Sequence, residues 1–189
     1  MNKPLLYYSV LVILFLLTSS IAIAQSSGNY TSDNKVMVKF YGKDQAYTFQ
    51  SNDLLVRYNK TTQKLECILN IATLVPLNDS IPADMAYDVF FGAKFPDLLL
   101  YIDAPVEKVN GSNLYPGSIN KVTTVNLQGI SKQTTTPITL TASRNAIVFN
   151  TSFDLMLDNF SASVPIQYYK LLTGRVMIAI NNAKWTGIE

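Results

Sequence analysis

Between Val122 and Tyr169 the chain reads VTTVNLQGISKQTTTPITLTASRNAIVFNTSFDLMLDNFSASVPIQYY. Three apolar runs rich in Val, Ile, Thr and Phe are separated by short polar punctuation, the pattern of consecutive antiparallel strands. No helical periodicity competes in the first two thirds of the stretch. Whatever fold the chain adopts must take several sequential strands in a row, each joined to the next by a short turn.

That requirement needs a core to build on. The 189 residues are 48% apolar and 15% charged, enough for one domain with a substantial interior. The formal net charge of +2, spread over scattered Lys and Arg, leaves no electrostatic footprint for nucleic acid or an acidic membrane surface. Only a transient membrane contact stays open.

The first residues carry a targeting pattern. Lys3 precedes an almost unbroken apolar run from Leu5 to Leu17, and Ala22, Ile23 and Ala24 form a small-x-small cleavage site before Gln25. Residues 1–24 are expected to be a signal peptide, and residues 25–189 one domain released to the periplasm or secreted. An uncleaved anchor from Leu5 to Ala24 is the competing reading, disfavoured by Thr18–Ser20, which interrupt the run. The sole cysteine, Cys67, excludes an intramolecular disulfide. It alternates with Leu65, Leu69 and Ile71 and reads as a small buried hydrophobe.

Further strands are expected at Val36–Tyr41, Ala46–Gln50, Leu54–Tyr58 and Lys64–Thr73, with turns at Gly42–Gln45, Ser51–Asp53 and Asn59–Gln63. The order is that of a meander, as in an up-and-down sheet or barrel. Pro76–Pro96 interrupts it. Ser80 and Pro82–Asp84 stand where a helix would begin, and Met85, Val89 and Phe90 recur at helical spacing. Leu98–Ile102 is apolar at every position, so both its faces should be covered, as in a barrel with an apolar interior or in a sandwich. Asn110–Gly111 reads as a tight turn. The last strand is expected at Gly174–Ile180, with Asn181–Glu189 as a tail carrying an exposed Trp185. Six Asn-x-Ser/Thr triplets fit chance in so Asn- and Thr-rich a chain, and Asn150 lies inside an expected strand.

Several of these segments together resemble the YceI-like family of exported bacterial proteins. Leu127, Gly129, Ile130 and Lys132, followed by Pro137, Ile138 and Leu140, are similar to the family's Leu-x-Gly-Val/Ile-x-Lys strand end and the strand after it. Gly129 permits the reversal and Lys132 keeps the turn soluble. Phe153–Phe160 and Gly174–Ile180 resemble later strands. Phe90, Phe91, Phe95 and Pro96 match a helix that ends in a Phe pair before an aromatic-Pro step. The likeness spans about Leu54 to Ile180. It departs from the family in having no His anywhere and no Arg in Asp84–Asp88, so polar contacts such groups make to a ligand head are not expected here.

The resemblance implies an all-β fold, an extended eight-stranded antiparallel lipocalin-like barrel with one short helix and a long apolar tunnel for an isoprenoid or fatty amphiphile. Catalysis is argued against directly: without His, and with one thiol that reads as buried, the common nucleophile and acid–base arrangements are missing. Asp154 and Asp158 read as turn or rim residues. No cofactor is expected. The alternative is a structural or interaction domain with a solid core, using Tyr168, Tyr169 and Trp185 at an interface such as a homodimer. The pleat sorts each strand into two faces without saying which is inside. The expected ligand-lining residues are Phe40, Leu55, Leu69, Leu99, Tyr101, Leu127, Leu140, Phe149, Phe153 and Ile178, with Phe90 and Phe91 at one mouth.

Overall fold

The computed structural model describes residues 30–104, 117–143 and 146–186. The expected signal peptide and the Asn110–Gly111 turn lie outside them. Nine strands run β1 Thr31–Gly42, β2 Ala46–Asn59, β3 Lys64–Asn70, β4 Val75–Pro76, β5 Asp97–Asp103, β6 Ser118–Leu127, β7 Ile130–Ser143, β8 Ala146–Met156 and β9 Leu172–Thr186. Among the described residues a single α-helix, α1, spans Met85–Val89. The sheet order is β1-β9-β8-β7-β6-β5-β3-β2, and β1 pairs with β2 to close an eight-stranded antiparallel barrel; two-residue β4 attaches outside the ring to β2. Closure removes the open edges that a sheet of this size would otherwise expose.

Alternation along each strand drives this closure. On β1, Val36, Val38 and Phe40 are buried while their neighbours are not, and the same holds for Leu98, Leu100 and Ile102 on β5; on β3, Leu65, Cys67 and Leu69 are buried and so is Glu66 between the first two. Gln128 (φ 52°) and Gly129 (φ 78°) form a two-residue turn with both central residues at positive φ, setting Leu127 opposite Ile130. The expected reversal at Gly129 is therefore present, with Lys132 exposed beside it.

Three boundaries differ from the sequence expectation, each for a local reason. Ala46–Gln50 and Leu54–Tyr58 are one strand: Ser51 turns inward, its hydroxyl 2.6 Å from that of Thr73, and a register shift against β1 carries the ladder past Asn52 and Asp53. β3 stops at Asn70 because the Asn70 side chain accepts from Ala72 N and opens a 3-10 turn over Ile71–Thr73. β9 continues past Ile180 to Thr186. Asn182 takes φ 53° in a bulge, its N–H donating to Asn150 Oδ1 at 2.7 Å, after which Ala183 and Trp185 point inward again. Trp185 is thus buried, not an exposed tail residue, and Tyr168 is buried as well; of the three aromatics expected at the surface only Tyr169 is there.

Candidate functional site

The barrel interior receives apolar side chains from all eight ring strands. Of the expected lining residues, Phe40, Leu69, Leu127, Leu140, Phe149, Phe153 and Ile178 point inward and are buried. Leu55, Leu99 and Tyr101 do not. They sit on the outer face, half-buried, where Ile68 pairs with both Leu55 and Leu99, and Glu66 with Tyr101. Their apolarity reflects this lateral cover, which is why Leu98–Ile102 lacks alternation in sequence although its pleat alternates in space.

The upper half of the interior, at the α1 end, is aromatic. Phe40 meets Phe49 edge-on at 5.7 Å and Phe90 at 5.2 Å. Phe40, Phe49 and Phe90 expose 1% of their surface or less. Side chains without accessible surface border no space that a water molecule could occupy, so this half is filled by the protein's own rings.

The other end holds polar groups inside the wall. Thr123 and Thr136 share a hydrogen bond of 2.6 Å, both wholly buried. Tyr58 stacks on Trp185 with ring centroids 4.9 Å apart. Its hydroxyl is buried without a hydrogen-bond partner, and burial raises its pKa. Sequence reading missed this pair because Trp185 lies beyond the Asn181–Asn182 bulge; the spacing of Ala183 and Trp185 was the available signal.

At the α1 end the wall is incomplete. β7 pairs with β8 only from Ile138 to Ser143, and the 3-10 turn Leu157–Phe160 follows β8 at this end. Pro137, which offers no N–H, stands where the pairing stops, and its carbonyl accepts from Thr151 Oγ1 at 2.8 Å. A cleft of about 410 Å³ opens nearby between α1, the Gln128 turn and residues 161–167. Tyr87, Phe91 and Pro165 supply apolar walls, and Asp88, Gln128 and Gln167 polar ones.

The Phe pair straddles this end: Phe90 faces the interior, whereas Phe91 is 48% exposed on the cleft. α1 ends in paired reverse bonds, Gly92 N to Tyr87 O and Phe91 N to Asp88 O, which demand a left-handed residue at position 91. Phe91 fills it at φ 54°, and Gln128 and Ser161, also on the cleft, are left-handed too. A bulky side chain in that conformation is an outlier of the kind found at ligand clamps.

Among the described residues, charged groups are taken up in ion pairs and hydrogen bonds of the outer wall. Glu66, 7% exposed on the outer face, accepts from Arg57 Nε at 2.6 Å and Asn59 Nδ2 at 2.8 Å. Asp154 pairs with Arg175 at 2.7 Å, and no group of three His, Cys, Asp or Glu side chains is placed to hold a metal among the described residues. Burial pushes the Cys67 thiol up to about 12, with Glu66 adding to the effect, so it is inert near neutrality.

No protein-family model and no curated protein matches the chain. Solved structures do. A polyisoprenoid-binding domain from Saccharophagus degradans, implicated in plant cell wall breakdown, superposes with a TM-score of 0.67 at 11% identity, covering 82% of this chain and 96% of that one. BcnA of Burkholderia cenocepacia gives 0.53 at 14% identity, with 77% and 93% covered. The YceI protein of Campylobacter jejuni gives 0.50 at 13% identity, with 90% of each chain covered. Identities this low speak to architecture alone: the chain has the closed antiparallel barrel fold that these three proteins share.

Proposed function

We propose that this chain is a YceI-like protein, exported to the periplasm or secreted, that carries or sequesters an isoprenoid-like or fatty amphiphile inside its barrel. The observation that carries the reading is a closed barrel with an apolar inward face on every ring strand and, among the described residues, one buried unpartnered hydroxyl, that of Tyr58, at the end opposite α1. An amphiphile answers both features, its tail in the apolar section and a polar group near Tyr58.

The filled upper half sets a condition. A tail can enter only if rings such as Phe40, Phe49 and Phe90 turn aside, and the short β7–β8 ladder together with the α1 cleft is the place where the wall yields most easily. About ten buried methylenes gain about 8 kcal/mol, against about 1 kcal/mol for each side chain forced off its rotamer. The tail wins without a charged anchor, consistent with a helix that bears Asp88 but neither His nor Arg.

The filled interior also favours a second reading, a solid-cored structural or interaction domain. Titration with an isoprenoid quinone separates the two. Trp185 is the sole tryptophan and lies 4.9 Å from Tyr58, so it reports on the interior. Saturable quenching at one quinone per chain, weakened by Leu140→Phe, is the expected result. Unchanged Trp185 emission with no bound lipid overturns the amphiphile reading in favour of the solid core.

A further inference from the structure

We propose that the seam between β7 and β8 at the α1 end is a lateral gate through which the amphiphile enters and leaves the barrel, latched by the Thr151–Pro137 hydrogen bond and stoppered by the turn Leu157–Phe160. β6 pairs with β7 from Ser118 to Leu127, and β8 with β9 from Ala146 to Met156, whereas β7 and β8 meet only over Ile138–Ser143. Ile130–Pro137 and Ser152–Met156 therefore each have a ladder on one side alone.

The ladder stops for a covalent reason. At a hydrogen-bonded rung of an antiparallel pair, a residue turns its N–H and its C=O to the same neighbouring strand. Residue 137 turns its carbonyl toward β8, where it accepts from Thr151 Oγ1 at 2.8 Å, and the next rung beyond Ile138 and Thr151 would set it against Ser152. The N–H needed for that rung is the one that proline lacks. A side-chain hydroxyl holds the last rung in place of the backbone.

Past the latch the wall opens to solvent. Lys132 and Thr134 share the inward parity of Thr136 and Ile138, yet both are exposed, while Val125 and Thr123, their partners on β6, are buried. Across the seam the inner face of β8 loses burial in the same direction: Ile147 and Phe149 are sealed, whereas Phe153 and Leu155 are 8% and 7% exposed. Leu157 and Phe160 cover the gap, both buried, on a turn that packs against β7, β8 and β9. That turn closes on itself, Ser161 N donating to Asp158 O and Ala162 N to Leu157 O, both at 3.1 Å, so lifting it gives up side-chain contacts while the ladders stay intact. Gln128, two residues before β7, and Ser161, next after the turn, both line the cleft, which makes the cleft the vestibule of the gate. The proposal rests on the amphiphile reading for what passes; the opening itself is measured without cargo.

Hydrogen–deuterium exchange of the purified chain, read by mass spectrometry, and stopped-flow quenching of Trp185 by an isoprenoid quinone test it. Amides of Ser152–Phe160 should exchange faster than those of Val36–Phe40 and Val176–Ile180, whose strands are paired on both sides. Pro137→Val restores the N–H at an exposed position; it should slow that exchange and lower quinone association and dissociation about tenfold each, with the affinity unchanged. Thr151→Val keeps the shape, removes the latch and should move exchange and both rates the other way. Wild-type amide exchange in both variants overturns the proposal, as does a Pro137→Val change in affinity without a change in rates. Seam exchange that responds to both variants in a chain that takes up no quinone sinks the amphiphile reading alone; quinone uptake at wild-type rates in both variants sinks the gate alone.

Discussion

Thr123 and Thr136 give a direct reading of how dry the barrel interior is. Their hydroxyls share a 2.6 Å hydrogen bond and neither residue has accessible surface, so each is the other's partner in an otherwise apolar wall. Thr123→Val keeps the shape and removes one hydroxyl, leaving Thr136 Oγ1 buried and unpaired at a cost of about 1–3 kcal/mol. Thr136→Val does the same from the other side. Replacing both removes the orphan as well as the bond, so the double variant should lie within about 1 kcal/mol of the wild type. The singles are therefore strongly non-additive, with a coupling about as large as the two single effects together. Urea unfolding of all four proteins measures this through the midpoint at constant slope. If the singles cost little, or the double costs their sum, the hydroxyls meet water or another polar group, and the interior described above is wrong.

Three further outcomes follow from local geometry. Gly129→Ala places a Cβ 3.1 Å from Phe95 Cε1 at a residue with φ 78°, and should destabilise the β6–β7 hairpin by about 1–2 kcal/mol in the same unfolding assay. Phe91→Gly relieves a left-handed bulky residue and should raise stability by about 1 kcal/mol while removing a wall of the cleft, a stability gain visible in the urea midpoint. Burial and the hydrogen bond to Asp88 push the Tyr168 hydroxyl from 10.0 up to about 12, so its protonated form is favoured by the fold. That contribution is whole below pH 10 and is lost as pH rises toward 12; Tyr168→Phe should show a shallower fall in thermal stability across that window.

The strands were legible where one face meets the core and the other meets solvent. β1 keeps that alternation, and Gly129 marks the β6–β7 reversal because position 129 requires positive φ. Legibility failed where a side chain takes over a backbone duty. Asn150 caps the Asn182 N–H at the β9 bulge, which made two asparagines look like a strand end and hid the Tyr58–Trp185 stack. Ser51 likewise looked like a turn residue, although its hydroxyl meets Thr73 inside the wall. The side of the wall each residue faces was not in the pattern at all. Leu99 and Tyr101 read as lining because they are apolar, and only the register with Ile68 and Glu66 shows them on the outside. Phe90 and Phe91, adjacent and identical, were one feature in sequence; the end of α1 sends one inward and one out.

The most direct measurement is native mass spectrometry of the protein purified, without added lipid, from a host with intact membranes. A fraction of the chain is expected to carry one additional mass that dissociates as an isoprenoid or fatty amphiphile, and Leu140→Trp to lose it. The bare chain mass alone, unchanged after incubation with an isoprenoid quinone, would contradict it.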